Sequence, residues 1–330
     1  MKTLQPMARA SFLALACALL IFLAPRVQAA PKGSPWNESY FPNVTLVTQD
    51  GKEMRFYDDM IKGKIVLINF MFATCHDACP LETAKLRQVQ EQLGDRVGKE
   101  VFMYSITITP EHDTPEVLKE YMEQFKVAPG WQFMTGKIED INLIRKKLGL
   151  YEEGEVNSDH TQSLMIGNES SGTWMKRSSF DNPKVLSQVM LDRLMGGKVQ
   201  IRGVSYAEAP TQMNVDPGED LFRRRCQECH TVGRGDAIGP DLAGVTRRRD
   251  RTWLSRYIQA PNKLLEQGDA IAVALNDKYK KLPMPNLSLT GDEVDQVVGY
   301  LENENQRLVG GKTNDAKNET NKHEYHTHAH

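Results

Sequence analysis

Thr74-Cys75-His76-Asp77-Ala78-Cys79-Pro80 follows an apolar run from Ile65 to Phe72 and precedes apolar positions at Leu86, Val89 and Leu93. The run IVLINFMF holds one polar residue, Asn69, and predicts a strand buried on both faces. The Leu/Val spacing after Pro80 predicts an amphipathic helix. Both cysteines therefore fall at a strand-to-helix turn. With the helix begun by Cys75, a spacing of four turns the chain by about 400° and advances it roughly 6 Å, so both sulfurs project from nearly one face within reach of one soft ion. Pro80 is tolerated in a first helical turn, where its missing N–H had no partner, and the exposed N–H groups there are expected to favour thiolate over thiol. The alternative is a structural disulfide or a pair of inert core thiols.

Outward from this turn, Val44 to Thr48, Asp50-Gly51 and Met54 to Tyr57 predict a hairpin. Val101 to Ile108 reads as a second buried strand, and Asp113-Thr114-Pro115-Glu116 starts a helix carrying Leu118, Tyr121 and Phe125. Trp131 to Thr135, Ser163 to Gly167 and Trp174 to Ser178 are further strands, with helices over Ile138 to Leu148 and Pro183 to Met195. A mixed sheet with helices on both faces and a cysteine pair at the first strand-to-helix turn describes an α/β thioredoxin-like domain. A thioredoxin reductant would have C-x-x-C and a Pro before the next-to-last strand. This chain has C-x-x-x-C, and Ser158-Asp159-His160-Thr161-Gln162 precedes the Ser163 strand.

Over roughly residues 36 to 195 the chain resembles the Sco/SenC family, copper-binding proteins that assist assembly of cytochrome c oxidase. The resemblance rests on Cys75/Cys79/Pro80, on Asp113-Thr114-Pro115 and on Asp159-His160. It implies that Cys75, Cys79 and His160 bind one copper ion, with Asp159 orienting the imidazole. Two thiolates and an imidazole suit Cu(I) and tolerate Cu(II). Many members have Pro between the cysteines where this chain has His76, beside Asp77; His76 is either an accessory ligand or pKa perturber, or a solvent-facing residue. Thr109 and His112 stand where the family has Asp and Arg.

Cys226-Gln227-Glu228-Cys229-His230 is the attachment signature for one covalent haem c. Two thiols form thioethers and His230 supplies the proximal iron ligand. Gly218 to Arg225 leads in as a helix, Gly239-Pro240-Asp241-Leu242 follows, and Asp292 to Leu301 closes the domain. Residues 216–306 thus resemble a small all-α class I cytochrome c domain. His/Met ligation is usual in such domains, and Met284 is the only Met after the haem motif, so it is the expected sixth ligand. Arg223 to Arg225 and Arg247, Arg248, Arg249 and Arg251 form either a basic rim for an acidic redox partner or a solvated face paired with haem propionates.

Lys2 and Arg9 lead into an apolar run from Ala10 to Pro25, with small residues at Val27-Gln28-Ala29. Residues 1–29 read as an export signal, which removes Cys17 and directs the rest to the periplasm, with membrane attachment only if the signal stays uncleaved. The organisation expected is a thioredoxin-like domain over 30–197, a linker over 198–215, the cytochrome domain over 216–306 and a disordered tail over 307–330. That tail ends with His323, His326, His328 and His330, which either collect divalent metal loosely or are incidental. The chain has 330 residues, 25% charged, and a net charge of −2, which gives no bias toward nucleic acid or membrane.

Haem moves one electron, whereas a disulfide takes two. The combination is therefore expected to be an exported copper-binding electron-transfer protein whose partner is a respiratory cytochrome c oxidase subunit or another copper or redox protein. The enzyme alternative is a thiol-disulfide oxidoreductase in which Cys75 and Cys79 are the redox-active dithiol and haem relays electrons.

Overall fold

The apolar run after the first hairpin becomes strand β3, Ile65–Met71, inside a seven-stranded sheet. The other strands are β1 (Thr45–Thr48), β2 (Glu53–Arg55), β4 (Val101–Thr107), β5 (Trp131–Gly136), β6 (Ser163–Asn168) and β7 (Thr173–Ser178). Their order is β2-β1-β5-β4-β3-β6-β7. β3 pairs parallel with β4 and antiparallel with β6, so both its edges are taken, and Val66, Leu67, Ile68 and Met71 are fully buried. Burial on both faces is what a continuous apolar strand requires. The computed structural model describes residues 35–75, 78–153, 162–196, 216–280 and 282–324. The expected signal segment 1–29 and linker 198–215 lie outside them.

Four helices pack on the sheet: α1 (Ala78–Leu93), α2 (Pro115–Gln124), α3 (Ile138–Lys147) and α4 (Pro183–Val189), the last running on as a wider turn over Met190–Leu194. α2 starts as its sequence predicts, with the Thr114 hydroxyl accepting from the Val117 N–H. α1 differs from the expectation, because it begins at Ala78 and leaves Cys75 in the preceding loop. It is also buried nearly all round. Leu86, Val89 and Leu93 join the core cluster of the sheet domain, while the polar Glu82, Thr83 and Lys85 are 1%, 1% and 6% exposed.

The C-terminal half is helical: α5 (Pro217–Arg225), α6 (Val245–Arg248), α7 (Arg251–Gln259), α8 (Pro261–Glu266), α9 (Ala270–Lys278) and α10 (Gly291–Glu324). α5 and α10 cross at Gly218, where a Cβ would lie 2.1 Å from the Gln296 carbonyl oxygen. Only glycine permits that approach. Leu221, Phe222, Val294, Val297, Val298 and Leu301 form the core behind it.

α10 extends to Glu324, into the segment from 307 expected as a disordered tail. No Pro follows Pro285, and Glu, Gln, Arg and Lys make up half of the polar residues from Glu302 to Glu324. Lack of apolar periodicity removes a reason to pack but not the ability to be helical. Among the described residues no helix is long and apolar enough to cross a membrane.

Candidate metal and haem centres

β3 delivers the chain to the cysteine loop, and a buried carboxylate holds that loop in place. Asp113 Oδ2 accepts from the Ala73 N–H at 3.0 Å and from the hydroxyls of Thr107 and, at 3.2 Å, Thr109. The Cys75 N–H donates to the Phe72 carbonyl at 3.3 Å, closing the turn. Cys75 is 7% exposed and Cys79 is fully buried.

Their side chains are hydrogen-bonded to each other, so the sulfurs do converge although Cys75 precedes the helix. The expected thiolate character does not follow for Cys79. The Cys75 sulfur, then burial, then the negative charge of Glu82 push its thiol well above the usual range. Desolvation in a closed pocket outweighs the helix N-terminus. Protons must therefore leave before this pair can hold a metal as thiolates.

His76, Asp77, Asp159 and His160 lie outside the described residues, so two of the three expected copper ligands are brought together here. Among the described residues no group of three His, Cys, Asp or Glu stands ready for a metal. His326, His328 and His330 also lie outside them, as does the side chain of His323.

Beneath the cysteines runs a polar chain that sequence reasoning missed. The Trp131 indole N–H donates to Ser105 Oγ at 2.9 Å, and Ser105 donates to Asn69 Oδ1 at 2.6 Å. Asn69 Nδ2 then donates to Glu82 Oε1 at 3.1 Å. Burial pushes the Glu82 carboxyl up to about 7, with the Ser179 hydroxyl and the Asn69 amide pulling the other way and the Cys75 charge adding to the rise. Glu82 Oε2 is buried without a hydrogen-bond partner among the described residues. The one Asn in the apolar run was the available signal, as was Glu82 three residues after Cys79, on the same helical face.

In the cytochrome half, Cys226 and Cys229 close the turn after α5, with the Cys229 and His230 N–H groups both donating to the Cys226 carbonyl. His230 Nδ1 lies 2.9 Å from the Pro240 carbonyl oxygen, which orients the ring and leaves Nε2 for iron. Burial lowers the His230 pKa, against a pull upward from Pro240, and keeps the imidazole in the neutral form a metal needs.

A Cβ on Gly239 would sit 2.7 Å from His230 Cε1, so the glycine makes room for that ring. Two adjoining cavities share His230, Pro240, Tyr257, Leu275 and Met284 as lining. An apolar slot with an oriented imidazole and a thioether in its walls fits a haem, and both motif cysteines border it.

The basic run is largely consumed at home. Arg223 and Arg224 pair with Glu219 and Asp220, Arg251 pairs with Asp295 and Glu302, and Arg249 lies over the Trp253 ring.

The two halves meet along α1. Pro80, next to Cys79, lines the same cavity as Cys229, His230 and Met284. Ile238 joins the core cluster of the sheet domain, with Cys229 and Leu282 packed on it.

Comparison with known proteins matches both halves. The SCO1/SenC sequence profile matches residues 36–190 and that of cytochrome c matches residues 215–304. A SCO2-like protein of Rickettsia felis is 32% identical over 147 residues, covering 44% of this chain and 67% of its own length. A SCO2-like protein of Rickettsia prowazekii is 32% identical over 130 residues, 39% of this chain and 60% of its own. A solved SCO1/SenC family lipoprotein from Bacillus anthracis is 26% identical with a TM-score of 0.42, covering 51% of this chain and 99% of its own.

Proposed function

Because the chain belongs to the SCO1/SenC family of copper-binding proteins that act in cytochrome oxidase assembly, and carries a cytochrome c domain behind it, we propose that it is an exported protein coupling copper handling to one-electron transfer. Cys75, Cys79 and His160 bind one copper ion as cargo, and Asp159 orients the imidazole. Cys226 and Cys229 would hold haem c through thioether bonds, and His230 and Met284 would ligate its iron. Haem held there supplies a one-electron couple, whose potential a thioether ligand raises.

The observation that carries this reading is the shared wall: Pro80, bonded to Cys79, lines the cavity that His230 and Met284 also line. A haem held there would supply a one-electron partner that could switch the valence of the cargo copper. Two thiolates hold Cu(I) in preference to Cu(II), so the switch governs capture and release toward an oxidase subunit or another copper protein.

The test is to add one equivalent of Cu(I) to the ferric protein and follow the haem spectrum. Reduction of haem at a rate independent of protein concentration is expected, leaving Cu(II) at the cysteines. Absence of any electron exchange overturns the reading.

The contact between the Cys75 and Cys79 sulfurs also favours a second reading, because a disulfide there needs little movement. Cys75 would then attack a substrate disulfide, and haem would carry the two electrons in single steps. The raised Cys79 thiol is poorly suited to the first attack, which assigns that attack to Cys75 and leaves Cys79, once it loses its proton, to displace the substrate thiol from the mixed disulfide as the Cys75–Cys79 disulfide forms. This reading requires disulfide reduction by the metal-free protein, abolished by Cys75→Ser.

A further inference from the structure

Lys85 Nζ lies 3.4 Å from Glu228 Oε1, and the two side chains are 7% and 1% exposed. Each end belongs to an element that carries chemistry. Lys85 is six residues after Cys79 on α1, and Glu228 stands between the two haem-attachment cysteines. Glu228 is buried where the haem-attachment loop meets α1.

We infer that the Lys85–Glu228 ion pair is the latch that fixes the haem-attachment loop against the cysteine helix in one orientation. Both are positioning residues, acting on the two centres through the elements they join. The inference draws on the proposed function only for why that orientation matters.

Among the described residues, this pair is the buried charged contact between the halves. Ile238 and Leu282 pack by apolar contact, which is non-directional. Other contacts between the halves among the described residues, Gln124 to the Lys280 carbonyl, Lys126 to the Ala237 carbonyl and Arg225 over the Phe180 ring at 5.9 Å, lie at the solvent-facing margin or reach an aromatic face and bury no carboxylate. A buried charge tolerates only the arrangement in which it meets its partner, since leaving either end unpaired is strongly unfavourable. Glu228 Oε2 has no hydrogen-bond partner among the described residues, and Lys85 is the main group that offsets burial of this carboxylate, with Gln227 and Arg87 adding smaller contributions. A pair of this kind adds little net stability over apolar residues of similar size but penalises every other docking.

The experiment uses the haem-loaded, copper-free protein with Lys85→Met, Glu228→Gln and the double variant Lys85→Met/Glu228→Met. Two quantities are read: thermal unfolding followed separately in the haem band and in far-UV circular dichroism, and the haem midpoint potential. Wild type is expected to unfold with the two signals coincident. Each single variant splits them, and the double variant brings them back together, because two apolar side chains no longer leave a charge stranded.

The potentials move in opposite directions: down in Lys85→Met, where an uncompensated negative charge beside haem favours the ferric state, and up in Glu228→Gln. A loss of packing alone would shift both the same way. Coincident unfolding with unchanged potential in both single variants overturns the latch. Copper is absent throughout, so a failure of electron exchange sinks the proposed function and leaves this result standing.

Discussion

The Ala73 N–H donates to the Asp113 carboxylate at 3.0 Å, tying the loop two residues before Cys75 to the start of α2. The same oxygen serves the Thr107 and Thr109 hydroxyls, and Asp113 is fully buried. Asp113→Ala strands three donors in a dry site, at a cost of roughly 2–4 kcal/mol. Urea unfolding should register that loss, and Cu(I) affinity should fall with it because Cys75 loses its fixed approach to Cys79. Unchanged copper affinity in a destabilised variant would separate the anchor from the metal site.

Glu82 makes stability depend on pH in an unusual direction. Its folded carboxyl titrates at about 7, against an ordinary value near 4.5 once the chain unfolds. Between these values the folded protein holds a proton that the unfolded chain has released, so stability is full below 4.5 and falls as pH rises through 7. The span corresponds to a loss on the order of 3 kcal/mol. Denaturant midpoints of the copper-free protein at pH 5 and pH 8 should differ in that sense. Glu82→Gln, which keeps an acceptor for Asn69, should flatten the difference and be the more stable protein at pH 8.

Gly239 bears on haem ligation without touching iron. In Gly239→Ala the new methyl would meet the His230 ring at 2.7 Å, well inside contact distance. The ring must turn, and turning it stretches the Nδ1 contact with Pro240 that sets its orientation. Haem should still attach through Cys226 and Cys229, with an altered axial-ligand absorption spectrum and a changed potential. A spectrum identical to wild type would mean the ring has slack that this packing does not allow.

The contrast between Cys79 and Lys85 indicates what the sequence made legible. The apolar run, the Asp-Gly hairpin, the Thr114 cap and both cysteine motifs could be read because each is local: period, turn chemistry and ligand spacing act within about ten residues. The raised Cys79 thiol could not be read so, since it depends on burial and on Glu82 across a helical turn. Nor could Lys85, which looks like an ordinary helix-surface charge until a carboxylate 143 residues away meets it. Asn69 was visible as an exception in an apolar strand, and its partners Ser105 and Glu82 came only with the sheet register.

Copper uptake should rise with pH, and the cause is the proximity of the two sulfurs. Cys79 begins as a protonated thiol held up by Cys75, burial and Glu82, so binding Cu(I) between two thiolates expels protons. Apparent affinity then increases by about tenfold per pH unit for each proton released, until the thiols deprotonate unaided. Replacing His323, His326, His328 and His330 together by Ala removes the tail from the count. In that background one copper per haem is expected, with Cys75→Ser and Cys79→Ser each abolishing tight binding and His160→Ala weakening it. Competition against a Cu(I) chelator from pH 6 to 8 reads the slope. A flat profile would mean the thiols are already ionised in the folded protein, and retention of tight copper after loss of either cysteine would move the metal elsewhere.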